Sequence, residues 1–326
     1  MALLQDELTG ELTTMHGPIV DQAIATLEPS PISPDEYVVN DELLDQLETS
    51  LVEQLASQVP SDFDTVAVVV PWDSPYARFG RMTETVAYEG YDNHAAMRAY
   101  ENRSIWLYTV DMTNGVVEHV KRLVQPVDET DRQETGRTGI EVVDDRLFAT
   151  DPAEKADLDD ITDFHDIDSI ESSWNVTSNH STGRGQKTDS LESAMFTLVS
   201  YKATYLLAVN NGVERLFAYL NPKAIKSLGR MGVEHRKLLD REFHLPEPVK
   251  PGEYDHGYNA VVIPHSDTNR DVFTKVYTYE PTEGEKPDTR LQLRAAVSAF
   301  IANKEVPIFQ VSEDTPEAES VIARML

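Results

Sequence analysis

The residues best equipped for chemistry lie in one run: Ser181, Thr182, Gly183, Arg184, Gly185, Gln186, Lys187, Thr188, Asp189 and Ser190. Two glycines let backbone N–H groups approach a ligand closely. A strand over 172–179 is predicted before the run and a helix over 190–208 after it, so the helix would turn its unsatisfied N–H groups and positive dipole end toward the loop. Arg184 and Lys187 add full charges, and Thr188 adds a hydroxyl. The chemistry this favours is capture of a pyrophosphate or a similar anion. The same run also reads as an ordinary surface turn capped by Asp189 or Ser190, and both readings stay open at this point. It is not a P-loop, because Gln186 stands before Lys187-Thr188 where glycine is required. Nor is it a dinucleotide fingerprint, because Gly183 and Gly185 lack the third glycine.

Four titratable side chains are candidates for proton transfer close to this run: His180, Glu118, His119 and Glu101. His180 ends the predicted strand and titrates near neutrality. Arg122 could grip a carboxylate with two parallel hydrogen bonds. His180 also reads as a loop histidine bonded to backbone, and Glu118 and His119 as surface residues of a strand. The aspartates of 157–168 match no calcium-loop spacing, and His235, His244, His256 and His265 lack close zinc-ligand spacing, so no metal is expected. The chain has no Cys, which excludes disulfides, thiolate nucleophiles and thiolate metal sites. No G-x-S-x-G elbow occurs.

The elements that must carry these residues follow from periodicity. Asn40 reads as an N-cap, with Asp41 and Glu42 in the first helical turn. Leu43, Leu44, Leu47, Leu51, Val52, Leu55 and Val59 then repeat at helical spacing until Pro60. This amphipathic helix is expected to pack on the main domain or on a second copy of the chain, making a homo-oligomer. A shorter helix is expected over 15–28. The apolar run 65–71 reads as a buried strand, and residues 78–100 as helical. Asn114-Gly115 sits between two β-rich runs and signals a hairpin. Residues 128–170 read as a long polar excursion. After the helix at 190–208 come a strand at 213–221, a short helix at 222–232 opened by Pro222, and strands at 234–244 and 258–266. The expected division is an acidic helical arm over 1–61, a main domain over 62–270 and a small α/β extension over 271–326.

Charge sharpens this picture. The 326 residues hold 28 Lys and Arg against 57 Asp and Glu, a net −29. Residues 1–77 contain no basic residue and carry −15, and residues 128–183 carry −12. Residues 184–241 alone are basic, at +5, and they open at the anion-suited loop. Such a balance disfavours nucleic acid and anionic membrane surfaces as partners. The N-terminus has no basic region followed by an apolar run, and no stretch approaches the roughly 18 apolar residues of a membrane span. A cytoplasmic chain is expected, and the acid excess is compatible with a high-salt host.

The order of these elements resembles the GNAT acyltransferase superfamily over about 62–266. In that fold a central strand, a pyrophosphate-binding loop and a helix are followed by a strand, a short helix and antiparallel strands. The N-terminal half is similar to the branch that makes N-acyl amino acids and acyl-homoserine lactones. The segments carrying that likeness are 81–91, 104–111, Lys121-Arg122-Leu123-Val124-Gln125-Pro126 and Trp174 at the start of the central strand. Asn175 stands where that branch tends to carry an acid. The resemblance implies an α/β protein with a mixed, mostly antiparallel sheet flanked by helices. It implies transfer of an acyl group from a coenzyme A or acyl-carrier-protein thioester to a small-molecule amine, such as an amino acid. Gly183, Arg184, Gly185, Lys187 and Thr188 would hold the phosphates, and backbone N–H groups between Val176 and Asn179, Ser178 included, would receive the oxyanion. Arg122 and Trp174 would lie on the acceptor side, with His180, Glu118 or Glu101 moving the proton. The alternative is a non-catalytic module of the same fold that binds an anionic ligand or a protein.

Overall fold

The computed structural model describes residues 12–14, 32–87, 100–135, 138–140, 172–183, 190–238, 258–281 and 286–311. Their strands form one sheet in the order β1 (Leu12–Thr14), β9 (Ile308–Val311), β2 (Thr65–Pro71), β3 (Ser104–Asp111), β4 (Val116–Val124), β5 (Ser173–Ser181), β6 (Arg215–Leu220), β8 (Asn259–Pro264) and β7 (Arg236–Lys237). Only β9–β2 and β5–β6 are parallel; every other pair is antiparallel. This is the mixed, mostly antiparallel sheet expected. The helices are α1 (Asp41–Gln58), α2 (Ala77–Ala87), α3 (Glu129–Thr135), α4 (Ser190–Asn210), α5 (Pro222–Met231), α6 (Asp267–Thr274) and α7 (Thr289–Asn303).

Strand alternation sorts the core into two layers. Val66, Val68 and Val70 of β2 and Trp106 and Tyr108 of β3 face α1 and α2. Ala67, Val69, Ile105 and Leu107 turn the other way, onto Val199, Ala203 and Leu207 of α4. Covering on both faces is why β2 is apolar at nearly every position. Helix α1 begins where its cap was expected: Asn40 Oδ1 accepts from the Leu43 amide at 3.1 Å. Its stripe of Leu43, Leu44, Leu47, Leu51 and Leu55 is buried in its own chain's core, so it is spent on that sheet. Each of these leucines contributes about 1.5–3 kcal/mol of burial.

The arm and the extension both enter the main sheet, since β1 and β9 form its edge. Within the excursion, α3 is a helix where only loop was expected. Asp128 caps it, its Oδ1 accepting from the Asp131 amide at 2.8 Å. The expected helix over 15–28, residues 88–99 and residues 239–257 fall outside the described residues. The hairpin at Asn114-Gly115 forms as read. Asp111 Oδ1 accepts from the Thr113 and Asn114 amides, and Gly115 takes φ +67°.

Gly80 of α2 lies against the Trp106 ring. A Cβ placed there would fall 2.6 Å from Trp106 Cδ2. Gly80→Ala should therefore lower unfolding stability by about 1–3 kcal/mol through overpacking, read as a fall in the urea midpoint with an unchanged slope.

Candidate functional site

The centre of interest is the place where β5 leaves β6. The two strands pair from Ser173 opposite Arg215 to Val176 opposite Ala218 and no further. Beyond that point β5 runs on to Ser181, still held by β4, and β6 runs on to Leu220, held by β8. A bulge marks the parting. Val176 lies opposite Leu123 and Ser178 opposite Arg122, leaving Thr177 as the extra residue. An extra residue bends and twists its strand, which re-aims the end of β5 away from its parallel neighbour. Among the described residues, the backbone of 177–181 thus has no strand partner on the β6 side. It overlaps the segment from Val176 to Asn179 that the resemblance implied would receive an oxyanion, of which Val176 itself is still paired with Ala218. Gly183 follows it with φ +65°, and α4 begins at Ser190. Arg184, Gly185, Lys187 and Thr188 lie outside the described residues, as does the side chain of Ser178.

A second bulge, in β4, shapes what faces this opening. Thr109 pairs with His119 and Val110 with Val117, so Glu118 is the extra residue there. On the α4 side, a polar group gathers that the sequence did not reveal as a unit. His119 Nε2 lies 3.0 Å from Thr197 Oγ1. Lys121 Nζ donates to Thr204 Oγ1 at 2.9 Å and sits 4.3 Å from the centre of the Tyr201 ring. Asn179, opposite Lys121 in register, acts on both His119 and Tyr201. Among the described residues, the buried Thr177 Oγ1 and Ser200 Oγ have no hydrogen-bond partner. Leaving such groups unpaired costs free energy that a bound polar chain would recover.

Glu101 and Arg122 lie on the other face of the sheet, in a buried network. Glu101 Oε1 accepts from Arg81 Nε at 2.6 Å and Trp106 Nε1 at 3.4 Å. Its Oε2 takes the Tyr37 hydroxyl and Arg122 Nη2, both at 3.0 Å. Arg122 also meets Glu84 Oε2 at 3.3 Å and Ser104 Oγ at 2.8 Å. Both oxygens of Glu101 are occupied, and the charge of Arg122 is matched inside the fold. Glu101, read as a proton-transfer candidate, and Arg122, read as an acceptor-side residue, are thus bound to each other inside the fold. Trp174 packs in the apolar layer under α4 with Leu207 and Leu216. Glu118 is 4% exposed, and its carbonyl accepts from the Thr182 amide at 3.1 Å, tying the loop's start to β4.

A separate cavity of about 250 Å³ lies on the β2–β3 side of α4, lined by Met195, Phe196, Val199 and Phe300 with the Asp64–Lys304 ion pair at its rim. Lys304 holds the Asp64 carboxyl below its usual range. Among the described residues no three His, Asp or Glu are grouped to hold a metal ion, and no helix is long and apolar enough to cross a membrane. The basic island maps partly onto α5, where Lys223, Lys226 and Arg230 are exposed along one side, with exposed Arg236 and Lys237 on β7.

Both histidines at the opening are held neutral. Burial brings His119 down to about 3, helped by the nearby Lys121 and His180, and burial brings His180 down to about 4. The unfolded chain, at about 6.5, therefore takes up protons first on acidification. The stability tied to these neutral rings is whole above about pH 6.5 and is lost as the pH falls toward 4. His180→Gln should flatten that loss by about 1–2 kcal/mol between pH 7.5 and pH 5, measured by urea unfolding at the two values.

No family model matches the sequence, and no curated protein does. Solved structures are similar at low identity. The acyl-homoserine lactone synthase LasI is 11% identical, over 75% of this chain and 93% of its own, with a TM-score of 0.35. The coenzyme-A-dependent acyl-homoserine lactone synthase BjaI, solved with SAM and isopentyl-CoA, is 10% identical over 72% of this chain and 99% of its own, at 0.37. FeeM, an N-acyl amino acid synthase from uncultured soil microbes, is 11% identical over 61% of this chain and 91% of its own, at 0.39.

Proposed function

We propose that this protein is an N-acyltransferase. It would take an acyl group from a coenzyme A or acyl-carrier-protein thioester and pass it to the amine of a small molecule such as an amino acid. One observation supports this above the others: β5 parts from β6 at a bulge, directly before a glycine-containing basic loop and the start of α4. An open strand edge offers N–H groups in a row, suited to the amides of a thioester arm and to an oxyanion. The loop and the helix start suit the phosphates of the donor. The rival, a non-catalytic module holding an anionic ligand, has in its favour that Glu101 and Arg122 are committed to each other and that Asn175 carries no charge.

Thiol release from acetyl-CoA and longer acyl-CoAs, across a panel of amino acids, separates the readings. Release is expected with at least one pair. A thermal shift with coenzyme A but no release favours the module, and the absence of both signals sinks the acyltransferase reading. The double variant Arg184→Ala, Lys187→Ala should weaken coenzyme A binding roughly ten-fold or more, at about 1 kcal/mol per lost contact. Unchanged affinity would make the loop an ordinary turn.

The donor's carrier can be tested on α5. Exposed Lys223, Lys226 and Arg230 form a cationic row in a strongly acidic chain, which suits an acidic carrier protein. Reversing all three to Glu should raise KM for an acyl-carrier-protein thioester about ten-fold or more, since matched surface charges steer encounter. The KM for the matching acyl-CoA should not move. Equal KM values for both donors before and after reversal would remove carrier docking from this face.

A further inference from the structure

Among the described residues, the buried cations Arg81, Arg122 and Lys202 are matched by carboxylates or carbonyls. Arg81 and Arg122 meet Glu101, Glu84 and Glu36. Lys202 donates to the carbonyls of Ile301 and Lys304 at 2.7 Å and of Ala302 at 3.3 Å, at the end of α7. Lys121 is 1% exposed, yet among the described residues no carboxylate pairs with it. The groups that face it are Leu107 from β3, His119 beside it on β4, Asn179 from β5, and Tyr201 and Thr204 from α4. None of these is anionic at neutral pH. Thr204 gives its own hydrogen to the Ser200 carbonyl at 2.8 Å, so its oxygen accepts from Nζ. A buried lysine without a counter-charge is cheapest as the free amine, because the desolvation cost falls on the ammonium. The place is also specific. Lys121 lies opposite Asn179, which belongs to the part of β5 that has left β6, and its neighbours Asn179 and Tyr201 are half-buried.

We propose, resting on the acyltransferase reading, that Lys121 is the proton acceptor for the attacking amine in the β5–β6 opening. The acceptor nitrogen bonds to the thioester carbonyl carbon, and its proton passes to Lys121 Nζ, directly or through one water. The C–S bond breaks, and the thiolate sulfur takes the proton back from Nζ. An amide and a free thiol result, and Lys121 is again an amine. The other bases nearby are less suited. His119 and His180, brought down to about 3 and 4, bind protons too weakly to take one from an amine, and both oxygens of Glu101 are already engaged. Burial pushes Lys121 well below the usual lysine range, toward the pH at which a general base works best.

Lys121→Met keeps the length of the side chain and leaves Thr204 bonded to Ser200, so the core around it should stay filled. In this variant kcat should fall about 10²–10⁴-fold, with KM for the acyl-CoA within about three-fold. The limb of the pH–rate profile that rises as Lys121 loses its proton should disappear. Lys121→Arg, which stays protonated, should be equally slow. A readout independent of activity is the lysine Cε resonance in ¹³C-lysine-labelled protein. One signal, absent from Lys121→Met, should titrate well below the other ten lysines. A Lys121 signal that titrates with them overturns the proposal whatever the activity. So does a wild-type enzyme that transfers acyl groups while Lys121→Met keeps its rate and pH profile, and that outcome leaves the acyltransferase reading standing. Absence of transfer from any donor, with no thermal shift on coenzyme A, overturns that reading and the proposal with it.

Discussion

The carboxylate of Glu101 is the contact on which one half of the molecule depends. It is fully buried and receives Arg81 from α2, Tyr37 from the turn before α1, Trp106 from β3 and Arg122 from β4. Two helical segments and two strands are thereby indexed to one point. A buried ion network of this kind adds little net stability over an apolar core of equal volume. Removing one partner, however, leaves uncompensated charge and typically costs about 3–5 kcal/mol. The network fixes geometry rather than strength. It fixes the part of β4 that carries Arg122, and Lys121 is its neighbour on the opposite face. The register of the network therefore sets where the polar cluster under α4 stands.

The two bulges do complementary work. The one at Glu118 changes which side of β4 its following residues face, and the one at Thr177 ends the β5–β6 ladder. Helix α4 then lies across the sheet with its sides distinguished. Thr197, Tyr201 and Thr204 meet the polar cluster, while Val199, Ala203 and Leu207 join the apolar layer. A strand opening without the helix would be an exposed edge, and the helix without the opening would bury its polar residues against nothing.

Much of this was legible in the residues. Asn40 as a cap, the leucine stripe of α1, the Asn114-Gly115 turn and the order of elements from β5 to β8 follow from periods and turn chemistry, which act locally. The β5–β6 pairing ends at Val176, where the resemblance placed the first of the oxyanion-receiving amides. What was not legible depended on register. A bulge shifts side chains by one residue, and no composition signal marks Thr177 or Glu118 as extra. Lys121 therefore read as part of a motif around Arg122 rather than as a buried amine. Glu101 and Arg122 read as reactive because carboxylates and guanidinium groups are reactive when alone. Their company, Tyr37 and Arg81 at distant positions in the chain, is visible only once the sheet is closed. The short helix α3 was hidden in a run of polar residues with no apolar period.

At the far edge, β1 pairs only with β9, and β9 runs parallel to β2. Residues near one end of the described chain thus wait for partners almost three hundred positions later. On a ribosome, β2, β3 and β4 can assemble as a meander while β9 is still unmade, but this edge must stay open until residues 308–311 have been added. Until then the exposed ladder of β2, apolar on both faces, is the surface most inviting to a wrong strand. The late arrival of β9 acts as a closing clasp, and Lys202 gripping the end of α7 guides it into place.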